Sequence, residues 1–248
     1  MQVATVLLTM PVKARDATEH TYKWALQMEK IAKDLGYKVV SIRGKKVTYK
    51  NVTNALETYH LDVFVHTGHG CPTALNGYDD CIVTRKYEVS ELVGMAPEKL
   101  ERLMNPVKLS GCTKEICGLN DEVCAPLCFN PTNINLLKNS IVLSNACHSS
   151  SYLGRCAIAL GIKSFVGYDN LLLFPVDTMK TQVMFGQLHI ELMKNILLGD
   201  SVGEAYNKMM EMEDSLIRYY KHIKWVGLPL LWNHKHRELL GDPNATIY

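Results

Sequence analysis

The sequence predicts an α/β protein in which a mostly parallel sheet is covered by helices on both faces. Three observations lead there. Apolar runs and helical periods alternate from residue 3 to residue 66, and the same rhythm resumes at residue 141. The apolar runs are also nearly continuous in Val, Ile and Leu, which suits strands buried on both faces. Strand–helix–strand units of this kind imply right-handed crossovers and parallel pairing.

Taken in order, residues 3–10 form the first strand. Between 17 and 35, Trp24, Ala25, Met28, Ile31, Ala32 and Leu35 recur at three- and four-residue steps, and Gly36 supplies the stop of an amphipathic helix. Residues 37–42 make a second strand, 52–59 a short helix and 61–66 a third strand. The middle, 71–138, is irregular: Asn76-Gly77 reads as a turn, 81–84 as a strand and 97–104 as a short helix. The rhythm returns with a strand at 141–145, a helix at about 151–160 and a strand at 163–168. Helices follow at 176–198 and 201–220, the first with a core-facing stripe that includes Met184, Leu188 and Leu192. Residues 239–243 read as a turn into a last extended segment. No repeat or low-complexity linker interrupts this order, so the expectation is one domain, 1–248, with a cysteine-rich insertion at about 105–132.

Composition narrows the function. A chain of 248 residues with 47% hydrophobic content has ample material for a core. Its 27 basic and 25 acidic residues leave a net charge of +2 and no dense basic run, which gives nucleic-acid binding no electrostatic support. The apolar start at 3–10 is too short for a membrane span and lacks a basic leader or small-residue cleavage site, so the default expectation is a cytoplasmic protein without membrane attachment.

Two strand ends carry the chemistry. The run Ile141-Val142-Leu143-Ser144-Asn145-Ala146-Cys147-His148-Ser149-Ser150-Ser151 reads as a strand that stops at a cysteine, followed by a turn and a helix. Cys147 then stands at the carboxyl end of a strand, where open α/β sheets bind ligands, and at a helix amino end that favours a thiolate. The third strand ends in His66-Thr67-Gly68-His69-Gly70, whose glycines permit a sharp turn and leave room beside an imidazole. If the two strands are neighbours, a histidine and a cysteine face one crevice, and an imidazole activates a thiol. A lone cysteine or histidine is more often a packed core residue; the two strand-terminal motifs together are harder to read that way.

These motifs, VFVHTGHG and IVLSNACHSSS, resemble the His-Gly and Ala-Cys signature of the caspase-like cysteine peptidases, a group that includes caspases, metacaspases, legumains, clostripain and gingipains. The tail LLGDPNATIY resembles the Gly-Asp-Pro ending of gingipain-type domains. The resemblance implies a three-layer caspase-like fold and a cysteine endopeptidase working through a Cys-His dyad and an acyl-enzyme, with a protein or peptide as substrate. Carried onto this chain, His69 is the general base or acid, Cys147 the nucleophile, and the N–H groups of Gly70 and Cys147 form the oxyanion hole. His66 is the rival base, disfavoured because no glycine follows it, and His148 is given no catalytic role. The motifs lie 78 residues apart, more than the roughly 50 of caspases, and the cysteine-rich insertion takes up the surplus.

Where relatives specific for Arg or Lys carry an acid two residues before the cysteine, this chain has Asn145. Asp169, after the next strand, is the substitute carboxylate for a basic P1 residue, with Asp79 and Asp80 as weaker candidates. If P1 is neutral or acidic, Asn145 itself reads it. A catalytically silent binding module and a thiol amidase or transpeptidase are the alternative functions. No cofactor is required, while calcium dependence and oligomeric state stay open. Cys112, Cys117, Cys124 and Cys128 allow two disulfides, one four-thiolate zinc site or free thiols; disulfides are preferred because the spacing only partly fits zinc.

Overall fold

A computed structural model describes residues 3–12, 17–71, 74–77, 127–129, 133–175 and 179–248. Its strands in chain order are β1 (Thr5–Met10), β2 (Lys38–Arg43), β3 (Val63–Thr67), β4 (Gly70–Cys71), β5 (Ala74–Asn76), β6 (Leu127–Phe129), β7 (Ile141–Asn145), β8 (Ser164–Tyr168) and β9 (Arg237–Gly241). The helices are α1 (Thr18–Asp34), α2 (Tyr49–Thr58), α3 (Arg155–Ala159), α4 (Met179–Leu197), α5 (Val202–Tyr220) and α6 (Lys224–His236). A six-stranded sheet runs in the order β2-β1-β3-β7-β8-β9. Its first five strands are parallel and β9 joins antiparallel at the edge. A small antiparallel sheet, β4-β5-β6, begins directly beyond the end of β3.

Side chains that alternate along each strand divide the interior into two cores. Val6, Leu8, Val63, Val65, Ile141 and Leu143 face α1, α4, α5 and α6. Leu7, Phe64, Val142 and Phe165 face α2, α3 and the 3₁₀ turn Ile134–Leu137. Phe64 and Phe165 are fully buried, and each such ring contributes about 1.5–3 kcal/mol. Three layers result, as the continuous apolar strands require.

Local signals explain the boundaries. Helix α1 ends where Gly36 takes a positive φ of 85°. The Thr48 hydroxyl accepts from Asn51 N–H to start α2, and a reciprocal Ser201–Glu204 capping box starts α5. Three segments depart from expectation. Asn76 lies in β5 rather than a turn, residues 239–241 belong to β9 rather than to the turn expected at 239–243, and α6 has no counterpart in the sequence reading. Apolar residues surround α6 and Pro229 interrupts it, so no single period marks it. The expected strand at 81–84 and helix at 97–104 lie outside the described residues, as do Asp79, Asp80, Cys112, Cys117 and Cys124. Cys128 is on β6. Among the described residues, no helix is long and apolar enough to cross a membrane.

Candidate active site

The two motifs meet at the carboxyl edge of the sheet. Strands β3 and β7 pair in parallel, with Thr67 opposite Asn145 as their last pair. Gly68 N–H then donates to Asn145 O at 3.4 Å. His69 and Cys147 each stand two residues beyond that pair, so adjacent strand ends deliver both to one rim.

His66 is committed to the fold. It is fully buried, and both ring nitrogens are engaged: Nε2 lies 3.1 Å from His69 O and Nδ1 lies 2.9 Å from Thr9 Oγ1. A carbonyl only accepts, so Nε2 carries the proton and Nδ1 accepts from the threonine. Burial pushes the imidazole down to about 4, which keeps it neutral. His66 thus supports the turn that presents His69. The space is tight: a Cβ on Gly68 would lie 2.6 Å from Pro11 Cγ and 2.9 Å from His66 Nε2.

His69 itself is half-buried. Its carbonyl also accepts from Asn76 N–H at 3.0 Å. That bond makes Gly70 and Leu75 the non-hydrogen-bonded pair of the β4–β5 hairpin, so Gly70 N–H points away from β5. A backbone donor turned out of the hairpin one residue after His69 is what an oxyanion hole needs.

The cysteine turn is built differently. His148 adopts a left-handed φ of 54°, making the sharp corner at which the chain leaves β7. Ser149 Oγ donates to Ala146 O at 3.0 Å and accepts from Tyr168 N–H at 3.3 Å. Ser151 Oγ donates to Asp169 O at 2.8 Å, and His148 N–H donates to Asn170 O at 2.8 Å. His148 Nδ1 lies 3.3 Å from Asp169 O.

Cys147 is a free thiol, half-buried, whose sulfur accepts from Leu172 N–H at 3.3 Å. The helical stretch expected after the cysteine begins three residues beyond it, as one π-helical turn, Ser150–Gly154, that runs directly into the five-residue α3. Burial pushes the thiol up, and the N–H groups of Leu172 and of Cys147 itself pull it back only in part.

Asn145 is buried, and among the described residues its Nδ2 has no hydrogen-bond partner. Its register partner Thr67 likewise leaves Oγ1 unpartnered. Two unspent polar groups therefore lie side by side beneath the rim, where one group of a ligand would satisfy both. Asp169 stands at the rim with a side chain 40% exposed, but His236 Nδ1 lies 2.8 Å from its Oδ1. Sequence reasoning missed Leu172 and the three residues that fasten its segment, 169–173, namely Trp232, Asn233 and His236. No local pattern marks the last three, because their contacts join residues 60 or more apart.

Two solved structures align along nearly the whole chain. The Arg-specific cysteine proteinase gingipain R (RgpB) covers 98% of it with a TM-score of 0.56 at 12% identity. The complex of Porphyromonas gingivalis RgpB pro- and mature domains covers 97% with a TM-score of 0.55 at 14% identity. The fold is caspase-like. This chain spans 47% of each of those chains, just under half their length. No family model matches the sequence, and no curated protein matches it significantly. In caspase-like terms, the rim that carries His69 and Cys147 is the carboxyl edge of the parallel strands, while β9 closes the far edge of the sheet.

Proposed function

We propose that this chain is a cysteine endopeptidase in which Cys147 is the nucleophile and His69 the acid–base. The observation that carries the reading is the delivery of both residues, two positions beyond the paired Thr67 and Asn145, to one rim with Gly70 N–H turned out beside them. Cys147 Sγ attacks the scissile carbonyl carbon and its proton passes to His69. The carbonyl oxygen, now negative, accepts from the N–H groups of Gly70 and Cys147. His69 returns the proton to the departing amine, leaving a thioester. Water, deprotonated by His69, then hydrolyses the thioester and regenerates the thiol.

For specificity we propose a basic P1 residue. Asp169 supplies the carboxylate, since it is exposed at the rim and His236 engages only its Oδ1. The Arg specificity stated for gingipain R supports the same choice. Asn145 and Thr67 then line the pocket floor with neutral polar groups. The burial of the Cys147 thiol favours a second reading, a restrained module with little turnover.

A P1-scanning peptide library decides between them, read with wild type, Cys147→Ala, His69→Ala and Asp169→Asn, each with and without calcium. Turnover should fall by about 10³-fold or more in the first two variants. Asp169→Asn should depress only basic substrates, because an unpaired buried cation costs several kcal/mol. Wild-type turnover that persists in Cys147→Ala rejects the dyad. A flat P1 profile, unchanged by Asp169→Asn, rejects the basic pocket.

A further inference from the structure

The segment 169–173 passes over the cysteine turn and is fastened from its far side by α6. Trp232 Nε1–H donates to Leu171 O at 3.0 Å. Leu171 O and Leu172 N–H belong to one peptide unit, and in a trans peptide they point in opposite directions. Holding the oxygen therefore aims the N–H, and that N–H lies 3.3 Å from Cys147 Sγ. The next two peptide units are locked as well. Asn233, fully buried, accepts from Leu173 N–H at 2.9 Å through Oδ1 and donates to Leu173 O at 2.6 Å through Nδ2. A backbone amide aimed at sulfur stabilises the thiolate over the thiol, because a charged acceptor gains more from a hydrogen bond than a neutral one.

We infer that Trp232 and Asn233, adjacent on α6, are positioning residues that aim the Leu172 amide at Cys147 and so set how readily its thiolate forms. The significance for catalysis rests on Cys147 being the nucleophile of the proposed peptidase; the effect on the thiol does not. Other fastenings act at the near end of the segment, where Asp169 N–H donates to His236 O at 3.0 Å and Asp169 Oδ1 meets His236 Nδ1. They hold Asp169 and do not touch the 171–172 peptide. The ring of Trp232 packs against His236 with centroids 4.1 Å apart, so Trp232→Phe keeps an aromatic body there and removes only the donor.

The experiment is the pH dependence of Cys147 alkylation by iodoacetamide, measured on the intact protein by mass spectrometry. It needs no substrate. The midpoint should rise by roughly one pH unit in Asn233→Leu, which is about tenfold slower alkylation at any pH below both midpoints. Trp232→Phe should shift it by roughly half as much. Leu230→Ala, a core truncation on the same helix that leaves every bond to the segment in place, should keep the wild-type midpoint. Midpoints unchanged in Trp232→Phe and Asn233→Leu overturn the inference, and so does an equal rise in Leu230→Ala. If Asn233→Leu fails to fold, Trp232→Phe against Leu230→Ala carries the test alone. A wild type that cleaves no peptide removes the peptidase reading and leaves the comparison of midpoints intact.

Discussion

The turn after β3 and the turn after β7 do the same job with different chemistry. Each ends a buried parallel strand and sets one reactive side chain on the rim. The histidine turn rests on a buried neutral imidazole, His66, and on the β4–β5 hairpin that fixes the His69 carbonyl. The cysteine turn is held by hydroxyls, Ser149 and Ser151, and by a segment that α6 secures. The support under His69 contains a fully buried imidazole, whereas the serine hydroxyls under Cys147 do not titrate. Acid should therefore undermine the histidine side first, while serine truncation should damage only the cysteine side.

The largest expected effect is that of pH. His66 ionises at about 4 in the folded chain against an ordinary value near 6.5. The unfolded chain binds the extra proton between these values, so the stabilisation is complete above about pH 6.5 and is lost as pH falls toward 4. The loss amounts to about 3 kcal/mol. His189, buried and stacked on Trp24, is lowered by burial in the same sense and adds to the slope. Urea denaturation from pH 7.5 to 4.5 should show this decline, and His66→Gln should flatten it by about one proton. An unflattened slope in that variant would remove His66 as the titrating support. Amide exchange sharpens the comparison, since Asn76 and Gly68 should lose protection in mild acid before Tyr168 does.

Next in size is Ser149→Ala. The hydroxyl is fully buried, and its removal strands both the Ala146 carbonyl and the Tyr168 N–H. A cost of about 2 kcal/mol is expected, measured as a fall in denaturation midpoint at constant slope. The acid profile of stability should keep its shape in this variant. If that profile moves too, the two turns are not independent. The smallest effect belongs to Ser151→Ala, which removes one half-buried bond to Asp169 O. Its cost should be about 0.5–1 kcal/mol, with a change in KM exceeding that in kcat because Asp169 belongs to the proposed pocket.

What could be read in the sequence was whatever a short window encodes. Strand β7 and the arrival of Cys147 at its end come from a β-branched run stopped by small residues. The amphipathic period of α1 and the capping residues of α5 are equally local. The choice between His66 and His69 rested on one local feature. The missing glycine marked His66 as a strand residue, whereas its engagement by Thr9, on a different strand, was not legible. The helical stretch after Cys147 was legible, whereas the amide that reaches its sulfur comes from Leu172, 25 residues further on. Asp169 illustrates the general limit. Its position was legible, but its partner His236 lies 67 residues further on.

The order of the chain gives the clamp on the cysteine turn a consequence for how the protein is made. Strands β1, β3 and β7 and both reactive residues all precede α6, so a chain growing from its amino end can assemble the sheet while the Cys147 turn still lacks its fastening. The bonds from Asn233 to Leu173 close a loop of 60 residues, and the Ser150–Glu238 bond at 2.7 Å closes one of 88. Such closures come late in folding, when their entropy cost is met by a sheet already formed. A nascent or truncated chain would thus carry Cys147 without the Leu172 amide that contacts its sulfur, and its thiol would be slow to ionise. Full reactivity would arrive only once α6 and β9 have docked.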